Sequence, residues 1–185
     1  MVGIIIAVIG IALFAIVVVG LYKQSVSQGT ENAKRVLNNI IGKIELLEDG
    51  QSNEFAIQGF DGGEDWYLLG WSKEDKDRPG KCFFQSCLCI CPKAKAEVCQ
   101  EKGICRKVEK DLVEAYSEQP WRATITGESK GGEAEIIRTK IKKISYIPLS
   151  EKLFELGISK KEEGKLQLSR QLDLKYVTQT EFEED

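Results

Sequence analysis

All six cysteines of the chain, Cys82, Cys87, Cys89, Cys91, Cys99 and Cys105, fall between positions 82 and 105. Three chemistries are open to such a cluster. An even number of close-set cysteines reads as a disulfide framework. Four thiolates can hold zinc or an iron–sulfur cluster, but the usual signature is built on separated C-x-x-C pairs, and no C-x-x-C occurs here. A redox-active thiol needs a low pKa and solvent access, which spacing alone does not supply. Disulfides are therefore expected at all six positions, and no metal and no cofactor.

Other site chemistry is scarce. The chain has no histidine. That removes Ser-His-Asp and Cys-His catalysis, histidine-ligated haem, and histidine-bound zinc or copper. Carboxylates are abundant, but none is singled out as an acid/base pair, and no Ser or Thr lies in a nucleophile elbow. Lys130-Gly131-Gly132 has glycines without the rest of a phosphate-binding loop. No enzyme is expected. Net charge is −3 with lysines interleaved among acids, so there is no basic stripe and no nucleic-acid partner is expected. There is no Asn-x-Ser/Thr sequon.

The cysteines must be positioned by something. Phe83–Cys91 (FFQSCLCIC) has the alternating look of a strand. In a strand, Cys87, Cys89 and Cys91 share one face, with neighbours nearly ~7 Å apart, at or beyond disulfide reach. Each then pairs with Cys82, Cys99 or Cys105. This leaves six of the 15 ways of pairing six cysteines, one for each matching of the two trios. A bend in the segment would lift the constraint.

Further strands are expected at Glu54–Phe60 and Trp66–Ser72 around the turn DGGED, at Trp121–Gly127, and as one or two strands within Ala134–Leu149. Leu166, Leu168, Leu172, Leu174 and Tyr176 alternate with polar residues, and Arg170 interrupts their apolar face, as at an edge or at the end of cover. Short helices are expected at Val108–Ser117, with Val108, Leu112 and Ala115 on one side, and at Ser150–Leu156, closed by Gly157. Trp66, Tyr67 and Trp71 read as core and turn-flanking residues, or alternatively as a sticky patch. Lys140–Lys143 (KIKK) reads as a solvated or lysine-protected strand edge.

The N-terminus is different in kind. Val2–Tyr22 is 21 residues without a charge, roughly the ~30 Å of helix that crosses a bilayer core. It is longer than a signal-peptide apolar run and has nothing basic before it. Gly3, Ala7 and Gly10 form a small-residue face suited to close helix packing. Lys23, Lys34, Arg35 and Lys43 follow the segment, which by the positive-inside rule places the rest in the cytoplasm, against the cysteines. A basic leader removed from before this sequence would resolve the conflict. Beyond it, Ala33, Leu37, Ile40, Ile44 and Leu47, widened by Val36 and Ile41, form an amphipathic stripe that ends at Glu48-Asp49-Gly50. Gly29 is a soft point, costing ~1 kcal/mol in a helix interior.

An apolar first half and an amphipathic second half, followed by a β-rich remainder, resemble the type IV pilin family, including its archaeal branch. The resemblance lies in the pattern of roughly residues 1–50. It departs from bacterial pilins at position 5, which is Ile5 rather than glutamate. It implies that the first halves bundle into the core of a helical filament and that the second half packs on a β head. The expected fold is α+β: a long N-terminal apolar and amphipathic helix packed on an antiparallel, disulfide-stapled β head. Residues 1–24 would be the membrane or filament-core helix and 25–50 its amphipathic continuation. Residues 51–185 would be the head, with a cysteine-rich insertion at 80–107. The expected function is a structural subunit of an extracellular, adhesive filament, self-assembled through the N-terminal helix and held in the membrane before assembly. The alternatives are a single-pass membrane-anchored binding domain and an exported metal or redox protein.

Overall fold

The computed structural model describes the backbone of residues 2–60, 65–129, 132–151, 153–161, 164–173 and 175–176, and within them the side chains of all but 2–9, 12, 19–28, 121–139 and 176. Residues 61–64 of the DGGED turn, Leu174 and the side-chain positions of Gly3 and Ala7 therefore lie outside the described residues. Helix α1 (Val2–Glu45) leads into β1 (Ser52–Gln58) and β2 (Tyr67–Trp71). A 3-10 turn (Gly80–Cys82), β3 (Cys87–Cys91), α2 (Ala96–Lys102) and β4 (Ile104–Lys107) follow. The chain continues through β5 (Leu112–Ser129), β6 (Gly132–Ile144), β7 (Ile147–Pro148), β8 (Leu153–Lys161), β9 (Lys165–Gln171) and β10 (Lys175–Tyr176).

The strands form two sheets. The larger runs β1-β8-β9-β5-β10, with β6 also on β5, and the smaller runs β4-β3-β2-β7. The expected α+β class does not hold. The protein is mostly β, with strands making up 42% of it, and among the described residues no helix is long and apolar enough to cross a membrane. The sheets, not a long apolar helix, organise the fold. Nor is the β structure purely antiparallel, because β5 pairs in parallel with both β9 and β10. A parallel pair needs a crossover of a dozen residues or more, and the excursion through β6, β7 and β8 supplies it.

One core fills the space between the sheets. Ile57, Val113, Leu156, Ile158, Leu166 and Leu168 of the larger sheet meet Leu68, Leu88, Ile90 and Ile147 of the smaller. The α1 stripe Ala33, Val36, Leu37, Ile40 and Ile44 completes this cluster together with Leu47, while Ile41 packs at its margin. The layers close tightly at one point, where a Cβ on Gly70 of β2 would stand 3.0 Å from Val113 and 3.1 Å from the Ala115 nitrogen of β5. There the Ser72 hydroxyl accepts a hydrogen bond from the Val113 N–H at 3.0 Å, bridging the two sheets. α1 runs through Gly29 without a break, and Gly50 takes a left-handed φ of 87° and donates to the Lys160 carbonyl at 2.7 Å.

Both short helices expected in the second half are strands. In Val113, Ala115 and Ser117 the buried residues recur every second position, and the same holds for Phe154, Leu156 and Ile158. Over so few residues a segment offers both a helical stripe and an alternating set, and sheet pairing selects the alternating one, leaving Leu112 exposed. The apolar alternation of β9 stops at Arg170, but not because it is an edge: Arg170 is buried. Its guanidinium donates to the Pro148 carbonyl, pairs with Glu151, and lies over the Phe154 ring at 4.4 Å. Trp66 and Trp71 are buried, with Trp66 stacked on Phe60 at 5.3 Å between ring centroids.

Candidate functional site: a cysteine cluster and two exposed apolar segments

β3 has no polar residue because both of its faces are covered. Leu88 and Ile90 point into the main core. Cys87, Cys89 and Cys91 point the other way, into a second cluster with Leu69, Trp71, Cys82 and Cys99. Period-2 geometry puts the three cysteines on one face, and the partners come from three other places. Cys82 of the 3-10 turn bonds Cys87, Cys105 of β4 bonds Cys89 directly opposite it, and Cys99 of α2 bonds Cys91. The structure thus selects one of the six pairings that the spacing left open, and among the described residues no cysteine is free. Two of the disulfides touch: the Cys89 Sγ lies 3.9 Å from that of Cys87 and 4.0 Å from that of Cys82. Gly103 leaves the room for the third, since a Cβ there would stand 2.9 Å from the Cys91 sulfur.

The expected strand over Phe83–Cys91 begins only at Cys87. Phe83 and Phe84 instead take left-handed φ values of 45° and 61°, rare for bulky side chains and costly by about 1–3 kcal/mol each. The Cys82–Cys87 bond holds the bend. Both rings are exposed, Phe84 by 88%, with Lys107 over Phe83 at 5.4 Å and Arg78 over Phe84 at 6.0 Å. Sequence alternation concealed this loop, because two aromatics before a strand look like its first residues.

The second exposed apolar segment is in α1. Ile11, Leu13, Phe14, Ile16, Val17 and Val18 are all exposed. Gly10, from the expected packing face, is exposed too, and a Cβ there would meet no atom within 4 Å. One helix therefore contributes its later residues to the core and presents earlier ones outward.

Polar chemistry at the surface is carried by Glu114 of β5. It accepts hydrogen bonds at 2.9 Å from Lys165 and from Gln167 of β9, and Lys143 lies 3.9 Å away. The Lys165 hydrogen bond, helped by Gln167, holds the Glu114 carboxyl below its ordinary value. A carboxyl depressed in the folded state stabilises above its unfolded pKa and loses that contribution as pH falls through the folded value. Glu114→Gln should therefore cost up to about 1 kcal/mol at neutral pH, limited by solvent screening. The gap between the two proteins should close in acid, as read by urea titrations across the carboxylate range. An equal gap at every pH would mean that the charge plays no part.

The chain was compared with protein-family models, with curated proteins and with solved structures, and none of the three comparisons finds a match.

Proposed function

We propose that the chain is a structural subunit of an extracellular, pilin-like filament, joined to further copies of itself through the apolar N-terminal part of α1. The observation that carries this reading is the exposure of residues 13–18. Successive helical residues are set about 100° apart, so six in a row face every direction around the axis. A helix that is apolar all round is buried inside something larger. A single groove covers one face only, whereas a bundle of the same segment from several copies encloses all of them. Contacts of this head-to-tail kind that do not close on themselves build an open filament.

The disulfides fit the same setting. Cross-links of this density belong to oxidising compartments outside the cytoplasm, and they resist shear and proteolysis by slowing unfolding. The experiment is Phe14→Lys in the full chain, read by sedimentation velocity and electron microscopy. Phe14 is exposed and belongs to neither core cluster, so the variant should keep the wild-type melting temperature and lose assembly. Unchanged polymers in the variant would overturn the reading. Wild-type chain that enters detergent micelles singly and never polymerises would establish the membrane-anchored alternative instead.

A further inference from the structure

The two touching disulfides leave four sulfurs in one small volume. We propose that the reduced chain binds one zinc ion through the thiolates of Cys82, Cys87, Cys89 and Cys105. Zinc held by four cysteines is tetrahedral with Zn–S bonds of about 2.3 Å, which sets its sulfurs about 3.8 Å apart. Two of the four non-bonded spacings already stand there, at 3.9 Å for Cys87 to Cys89 and 4.0 Å for Cys82 to Cys89. Cys82, Cys89 and Cys105 lie within 4.8 Å of one another. To close the tetrahedron the two bonded pairs must part and Cys87 and Cys105 must draw together, movements open to rotation about the Cα–Cβ bonds.

The backbone brings these ligands to one place, and bound zinc would take over the cross-linking that the two disulfides provide. Cys87 and Cys89 share a face of β3, Cys105 faces Cys89 in the β3–β4 register, and Cys82 ends a 3-10 turn. The site is largely shielded from water, since Cys82, Cys87 and Cys89 are fully buried and Cys105 half-buried. Soft thiolates in a tetrahedral set select zinc over hard cations. Cys91 and Cys99 are not needed. Their bond fastens α2 to the end of β3, outside the group.

The chemistry balances with a phosphine or dithiol as reductant. Each of the two disulfides takes up two electrons and two protons and becomes two thiols. Zinc then displaces the four protons and is held by four sulfurs, giving a site of charge −2. Two molecules of a small-molecule disulfide, each reduced to two thiolates by exchange, would re-form the two protein disulfides and expel the ion. The inference is independent of the filament reading.

The test uses the full chain purified in a phosphine, which reduces without competing as a thiol, then given zinc or cobalt and passed through a desalting column. Reduced wild type should retain about one zinc per chain. With cobalt it should show the near-ultraviolet thiolate charge-transfer band and the intense visible bands of a tetrahedral site. The oxidised protein should retain none. Cys89→Ser should lose the ion, whereas Cys99→Ser should retain it. Reduced wild type without zinc, or a cobalt spectrum without thiolate bands, would overturn the proposal whatever the variants do, and so would full retention by Cys89→Ser.

Discussion

Full reduction in the absence of metal should lower the stability of the oxidised protein by about 5–7 kcal/mol and melt the smaller sheet first. The three bonds close loops with sequence separations of 5, 16 and 8 residues. Loop-closure entropy assigns them about 2, 3 and 2.5 kcal/mol, less some loss because Cys91–Cys99 is nested inside Cys89–Cys105. Domains of this size are stable by about 5–15 kcal/mol in total, so reduction removes a large share. The smaller sheet feels it most. Its outer face packs on a cluster whose buried residues other than cysteine are Leu69 and Trp71, with Tyr67, Ala94, Ala96 and Tyr146 only partly covered at its margin, so little hydrophobic surface remains there to hold it. Urea titrations followed by circular dichroism, with and without a phosphine, read the change. A midpoint unmoved by complete reduction would contradict it.

Gly59→Ala should be the most damaging single substitution that adds only one methyl group. Gly59 follows β1 where the chain passes beside the segment linking β7 to β8, and Phe60 donates to the Leu149 carbonyl at 2.9 Å. A Cβ on Gly59 would stand 2.6 Å from that carbonyl oxygen and closer still to the oxygen of Glu151. Both are backbone atoms, so no side-chain rotation relieves the clash. Separating the segments would also disturb Arg170, which reaches Pro148 and Glu151 on the same stretch. Overpacking of this kind costs about 3 kcal/mol or more. A thermal melt of the variant tests it, with Gly42→Ala as the control, because a Cβ at Gly42 in α1 meets nothing within 4 Å. Equal melting temperatures in the two variants would show that the backbones do not meet as described.

Part of this arrangement was legible from the sequence, and the missed parts have physical causes. The later α1 stripe was readable because its period persists over several turns, and Ala33, Leu37, Ile40, Ile44 and Leu47 are buried. The shared face of Cys87, Cys89 and Cys91 was readable because strand geometry allows no other. Their partners were not, since choosing among six pairings requires knowing where α2, β4 and the 3-10 turn sit. β5 and β8 read as helices because short apolar stretches offer a helical stripe, Val108, Leu112 and Ala115 leading into β5, beside the alternating set Val113, Ala115 and Ser117 that pairing buries. The parallel pairing of β5 with β9 joins segments far apart in sequence, and no local pattern announces it. Arg170 misled for a related reason. A charged residue on an apolar face signals an edge unless a carbonyl, a carboxylate and a ring converge on it, as Pro148, Glu151 and Phe154 do. The class itself was misjudged because the N-terminal hydropathy dominates the sequence, whereas the two sheets dominate the fold.

The central claim is self-assembly through the apolar part of α1, and native material tests it most directly. Cells should be sheared, the released material pelleted and imaged by electron microscopy, and its main component identified by mass spectrometry. The expected result is thin filaments made chiefly of this chain, with its six cysteines oxidised. Recovery of the chain only from detergent-solubilised membranes, with no filament containing it, would contradict the account.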